Sequence, residues 1–197
     1  MNIAFFDFDG TITTSDSLND FFRYLSPNKR IYYKIKYLDT LILLLLYKIN
    51  LISVEKLKLK RVNNFFRLHN HETVLNKAKI FSENIIPNSI KQSAINQINL
   101  HLNNQTDVVV VSASLNILLE HFCYKNKLKL ITNNLVFNEY SNKYYFNNID
   151  CNFDEKVNRI RQIYDLSNYS NIYSYGDTNG DLAMLKIANY KYFKYFK

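Results

Sequence analysis

The chain has 197 residues, of which 47% are hydrophobic and 15% aromatic, with two prolines and three glycines. Average usage would give about fourteen glycines. Such values exclude collagen-like, Gly/Ser-rich and disordered chains and leave room for one domain, or one domain with an inserted module. The net charge of +8 is uneven: residues 16–88 hold 13 Lys+Arg against 6 Asp+Glu, and the rest hold 12 against 11.

In chain order, residues 3–8 form a short apolar run ending in acids, the pattern of a parallel strand buried on both faces. Residues 16–88 then read as a helical insertion, broken at 26–28 and closed by Pro87. Within it the apolar run 41–47 is far below the roughly twenty residues a bilayer requires. It is expected as a buried helix, with an interfacial helix or lipid-facing groove, or part of a re-entrant or spanning structure, as the alternatives. A helix over 90–104 leads to a second apolar strand, 107–112, and a helix over 114–125. Residues 134–147 alternate and turn at 140–143, a hairpin signal. A helix over 154–165, a third strand at 171–175 and a helix over 179–188 follow. The aromatic and basic tail from Tyr190 reads as a short last strand, an exposed edge or a membrane-contacting tail. A second copy covering that edge, a homodimer, is the corresponding expectation. Strand–helix alternation with apolar strands predicts an α/β fold with a doubly wound, Rossmann-like parallel sheet.

Two cysteines, Cys123 and Cys151, are too few for a disulfide scaffold and lack zinc-ligand spacing, so a reducing, cytoplasmic location is expected. No basic leader precedes the first apolar run. His69 and His71 are expected at the surface rather than at a metal. The basic insertion contains no nucleic-acid-binding motif, so no nucleic acid is expected as a partner.

The polar residues gather in loops that leave strand ends. Asp7 and Asp9 lie one residue apart at the end of the first strand, where alternation turns both to one side. Two such carboxylates require a cation or a proton between them. Asp177 and Asp181 lie in a second acidic loop, Gly-Asp-Thr-Asn-Gly-Asp. Each of these residues alone is compatible with a turn or a helix cap. Both loops together suit a hard divalent cation, and Mg²⁺ needs few protein ligands because it keeps several waters. All three glycines, Gly10, Gly176 and Gly180, stand in these loops and are expected as backbone requirements of the site. Ser112, with Ala113 and Ser114 after it, ends the second strand where a helix N-terminus can receive an anion. Lys156 sits early in a helix, where the dipole disfavours it.

The segments Phe6-Asp7-Phe8-Asp9-Gly10-Thr11-Ile12-Thr13, Ser112-Ala113-Ser114, Glu155-Lys156-Val157 and 176–181 occur in this order at strand ends. Together they resemble the four motifs of the haloacid dehalogenase superfamily. The helical insertion resembles the cap of its phosphoserine-phosphatase-like branch (subfamily IB). The resemblance implies a core of residues 1–15 and 89–197 and a cap of residues 16–88. It implies Asp7 as nucleophile, Asp9 as general acid and base, and Lys156 as a stabiliser of charge. Gly10, Thr11, Ser112, Ala113 and Lys156 would bind phosphate. Asp7, Asp9 (through its carbonyl), Asp177 and Asp181 would hold Mg²⁺, with Asp181 serving its water shell or orienting Lys156.

The resemblance thus implies a phosphomonoester hydrolase that forms an aspartyl phosphate. In phosphoserine phosphatases a glutamate and a cap arginine hold the substrate; Asp16 and Arg61 are the counterparts here. The apolar, basic insertion suits an amphiphilic or lipid-linked phosphate and peripheral contact with a membrane. A small soluble phosphate, such as phosphoserine or a sugar phosphate, and a non-catalytic binding protein on the same fold are the alternatives.

Overall fold

In the computed structural model, which describes residues 1–39, 41, 45, 46, 48 and 53–197, the apolar runs become the centre of a parallel sheet. Strand β1 (Asn2–Phe6) lies between β2 (Asp107–Leu115) and β6 (Asn171–Gly176). The order is β3-β2-β1-β6-β7, with β3 at Lys129–Asn133 and β7 at Tyr190–Phe193, and every pairing is parallel. Ile3, Ala4, Phe5 and Phe6 are all fully buried. Their alternation divides them between two apolar clusters, one on each face of the sheet.

Between β1 and β2 lie α1 (Ser17–Leu25), α2 (Lys29–Lys34), α3 (Val54–Phe66), α4 (His71–Ile80) and α5 (Gln92–Asn103). Each of the first four starts at a side-chain cap: Asp16, Asn28, Ser53 and Asn70 accept from a backbone amide three residues on. Phe21 and Phe22 of α1 and Phe65 and Phe66 of α3 are buried together, with Phe22 and Phe65 stacked at 4.2 Å. The apolar cluster runs on through Phe8 and Phe122 to the sheet, so the insertion and this face share one core. The chain leaves and re-enters through a narrow neck. Thr13 and Ile90 form an antiparallel bridge, the Thr14 amide donates to the Ser89 carbonyl at 2.8 Å, and the Lys91 amide to the Ile12 carbonyl at 2.9 Å.

Helix α6 (Asn116–Lys125) joins this face. Helices α7 (Asp154–Ile163) and α8 (Leu182–Lys186) cover the other through Ile160 and Met184. The hairpin is β4 (Leu135–Asn138) with β5 (Lys143–Phe146), antiparallel as expected.

Several local expectations are corrected. β2 does not stop at Ser112. It continues through a register shift to Leu115, because Thr132 and Asn133 of β3 hydrogen-bond the Ser114 and Ala113 carbonyls. The helix expected at 114–125 therefore begins at Asn116. Strand β3 has no sequence forecast; it is a five-residue edge strand without an unbroken apolar run. Of the readings of the tail, residues from Tyr190 form the strand. His69 and His71 are half-buried: His69 bonds the Leu25 carbonyl, and His71 stacks on Phe137. The run 41–47 lies largely outside the described residues, so its expected burial does too. Leu41 and Leu45, which are described, are exposed. Among the described residues no helix is long and apolar enough to cross a membrane.

Candidate active site

The strand order reverses direction between β1 and β6, the switch point where doubly wound sheets open a crevice beyond their carboxyl ends. Asp7 follows β1 directly and Asp177 follows β6 directly, so the acids stand on either side of that crevice. The Asp7 amide donates to the Tyr175 carbonyl at 2.9 Å, which extends the ladder to the acid itself.

Lys156, in the first turn of α7, enters from the other side and is 2% exposed. Its ammonium donates to Asp7 Oδ1 at 2.6 Å, to Asp181 Oδ1 at 2.6 Å and to the Val111 carbonyl at 2.9 Å. All three ammonium protons are thus used. Burial alone would lower the pKa of this lysine, but the two carboxylates outweigh it and raise it. Asp181 is lowered: burial opposes its ionisation, and Lys156 and the Thr178 donors override that. Its second oxygen accepts from the amide and hydroxyl of Thr178, each at 2.9 Å. With both oxygens engaged, Asp181 is arranged to orient Lys156.

Asp7 keeps one oxygen beyond the Lys156 contact. Burial raises its pKa to about 6 against the pull of Lys156. Asp9 turns toward the insertion, where Oδ1 accepts the Ser17 amide at 2.8 Å. Burial, reinforced by the charge of Asp16, raises Asp9 to about 8. The two acids therefore differ: Asp7 ionises more readily than Asp9.

Asp7, Asp177 and Asp181 offer carboxylate oxygens that all lie within 4.8 Å of one another. Three carboxylates beside one ammonium leave two negative charges, which one divalent cation neutralises. The donors are all oxygen, the chemistry of a hard ion such as Mg²⁺, so the residues present fit that group. The Asp9 carboxylate is not in the trio. Thr11 donates to Asp177 Oδ1 at 3.0 Å and fixes that side chain.

The glycines divide by what surrounds them. Gly10 has φ +81°, and a Cβ there would collide with the Asp177 carboxylate. At Gly176 a Cβ would stand 2.5 Å from that of Asp181. At Gly180, where φ is not left-handed, a Cβ would meet the Asn152 side-chain tip, whose Oδ1 accepts the Phe153 amide, and the Thr178 hydroxyl at 3.3 Å.

Ser112, buried after the bend in β2, accepts the Ser114 amide at 3.0 Å and keeps its own proton to donate. The cap candidates stand apart from the trio. Asp16 is exposed and caps α1. Arg61 donates to Asn19 at 2.9 Å and lies over the Phe22 ring.

Residues without a sequence forecast also converge here. Lys91 donates to the Gly10 carbonyl at 2.5 Å and to the Phe196 carbonyl at 3.3 Å. Lys58 and Asn133 each donate to the Ala113 carbonyl and to Asp150 Oδ1. Lys58 stands in a run with Lys56 and Lys60, and nothing in that run marks it out.

Carboxylates and a buried lysine thus gather at the switch point of a parallel α/β sheet, where ligands of such sheets bind. The chain belongs to the haloacid dehalogenase-like hydrolase family, whose model matches residues 4–186. Protein CicA of Caulobacter vibrioides is 25% identical over 194 residues, covering 98% of this chain and 85% of that one. A Bordetella pertussis protein of unknown function has the same fold, with a TM-score of 0.77 at 18% identity, over 95% of this chain and 86% of that one. A phosphoserine phosphatase structure with a phospho-aspartyl intermediate analogue aligns at a TM-score of 0.62 and 18% identity, over 96% and 84%.

Proposed function

We propose that the chain is a Mg²⁺-dependent phosphomonoester hydrolase that works through an aspartyl phosphate on Asp7. The observation that carries this reading is the placement of Asp7: one carboxylate oxygen held by buried Lys156, the other free beside Asp177. The structural relative with the phospho-aspartyl analogue supports it.

In the first half-reaction the free Asp7 oxygen attacks phosphorus and the ester P–O bond breaks. Asp9 gives its proton to the departing alkoxide. In the second, Asp9 takes a proton from water, whose oxygen attacks phosphorus. The Asp7–phosphorus bond breaks and orthophosphate leaves. One hard displacement becomes two easier ones. Lys156 and the Ser112 hydroxyl meet charge on the transferring group. Mg²⁺ held by Asp7, Asp177 and the Asp9 carbonyl would neutralise charge between nucleophile and phosphoryl group. Residues 16–88 serve as a cap on a core of 1–15 and 89–197, hinged at the neck.

For the substrate, the proposal is an amphiphilic phosphate. Its support is the excess of cations in residues 16–88 and the exposed Tyr33, Tyr37, Leu41 and Leu45. A second reading, a small acidic phosphate such as phosphoserine, is favoured by Arg61, whose Nε is buried without a hydrogen-bond partner among the described residues.

Hydrolysis of p-nitrophenyl phosphate with and without Mg²⁺ tests the reaction. No turnover in a folded sample that still binds orthophosphate would favour a non-catalytic binder. Turnover of phosphoserine against a lipid phosphate in vesicles separates the two substrates.

A further inference from the structure

Lys58 carries a cation of the insertion to the end of β2, beside Ser112. Its neighbours Lys56 and Lys60 are exposed, but its own side chain is only 18% exposed. The ammonium donates to Asp150 Oδ1 at 2.6 Å and to the Ala113 carbonyl at 2.6 Å. Fully buried Asn133 binds the same two acceptors, at 2.6 and 2.7 Å, and accepts the Cys151 amide at 2.7 Å. Four segments meet here: α3, the end of β2, the end of β3 and the stretch leading to Lys156.

The Ala113 carbonyl and the Ser114 N–H belong to one peptide unit. That unit is planar, so fixing its carbonyl fixes the direction of its N–H. The Ser114 N–H donates to Ser112 Oγ at 3.0 Å. A charged donor on the carbonyl therefore sets, through one rigid plane, the orientation of the hydroxyl assigned to phosphate. Charge-assisted hydrogen bonds are shorter and stronger than neutral ones, which suits this task.

We propose that Lys58 is a positioning residue: it aims Ser112 and makes phosphate binding depend on the seating of α3 against the core. The inference rests on the phosphatase reading and deepens it. Coupling of this kind is reciprocal: if α3 seating aids phosphate binding, bound phosphate steadies α3.

The test compares wild type with Lys58→Met, which keeps the stem and removes the charge, and Lys58→Arg. With p-nitrophenyl phosphate, Lys58→Met is expected to raise KM and the inhibition constant of orthophosphate together by about tenfold, a lost charged hydrogen bond. The effect on kcat is expected to be smaller, and Lys58→Arg to restore both constants to within about threefold. Unchanged constants in Lys58→Met overturn the proposal, as does a loss confined to kcat. If Lys58→Met does not fold, wild type decides: orthophosphate with Mg²⁺ must slow hydrogen exchange in α3, and unaltered exchange at saturating phosphate overturns the coupling. If wild type neither hydrolyses p-nitrophenyl phosphate nor binds orthophosphate, the phosphatase reading fails. Positioning is then judged by exchange at the Ser114 amide, faster in Lys58→Met if Lys58 holds the loop and unchanged if it does not.

Discussion

Asp7 and Asp9 are the same residue type two positions apart, and their surroundings divide them. The Lys156 ammonium holds one oxygen of Asp7 at 2.6 Å, whereas Asp9 faces Ser17 and the charge of Asp16. Asp7→Asn is expected to lower kcat by at least about a thousandfold in a protein that still melts cooperatively, because the amide cannot form the acyl phosphate. Steady-state kinetics beside a thermal melt checks this; near-normal turnover removes Asp7 from the nucleophile's role. Gly10→Ala should be costly in a different way. Its left-handed φ alone costs about 1–2 kcal/mol for a residue with a Cβ, and the new methyl meets Asp177. Weaker Mg²⁺ binding by titration calorimetry, together with a lower melting temperature, is the expected pair of results. At this scale the acids and glycines were legible because their types and spacing declare the chemistry. Lys58 was not, since its importance lies in Ala113 and Asp150, 55 and 92 residues away.

Among elements, the two-point crossing at Thr13 and Ile90 isolates α1 to α4 from the strands in sequence while the aromatic residues tie them back in space. Phe66 is fully buried and packs edge-on against Phe21 and Tyr144. Phe66→Ala should therefore destabilise the fold by about 3–5 kcal/mol, the usual cost of emptying an aromatic core site. A shift in the urea midpoint checks it; a change below about 1 kcal/mol would mean that the insertion contributes little to the shared core. The central strands were readable from apolar runs bounded by turns. The edge strand β3 and the continuation of β2 were not. Both depend on pairing with each other and on the Asn133 and Thr132 side chains, a choice made by the neighbouring chain segment rather than by local propensity.

For the whole molecule, two groups of buried ionisable residues act on stability with opposite sign. Asp7 and Asp9 have folded-state pKa values raised above 3.8, to about 6 and about 8. Between those limits the folded state holds more protons, so their contribution is complete below about 4 and is lost as pH rises through about 8. His101, buried beside Tyr175, is lowered from 6.5 by burial. Its contribution is complete above 6.5 and is lost as pH falls through the lowered value. Melting in chelator should accordingly reveal an alkaline-side decline that Asp9→Asn reduces. The stabilisation by Mg²⁺ should grow as pH rises through about 6, where the ion replaces the proton lost by Asp7, the member of the carboxylate trio whose pKa is raised. A Mg²⁺ increment equal at pH 5 and pH 8 would contradict the assignment.

The uneven charge adds an expectation at the same scale: the protein should co-sediment with anionic vesicles and be released by salt. Failure to sediment, with fast turnover of phosphoserine, favours the small substrate. By itself the sequence determined the alternation of apolar strands with helices, the insertion after the first strand and the two acidic loops. These follow from local periodicity and from residue types whose chemistry allows few uses. Only the tertiary structure decided that Asp181 pairs with Lys156, that Asp9 turns from the carboxylate trio toward α1, and that Lys58 reaches the Ala113 carbonyl at the end of β2. Those assignments depend on which distant groups share a desolvated space, and burial there sets both the hydrogen-bond partners and the charge each group carries.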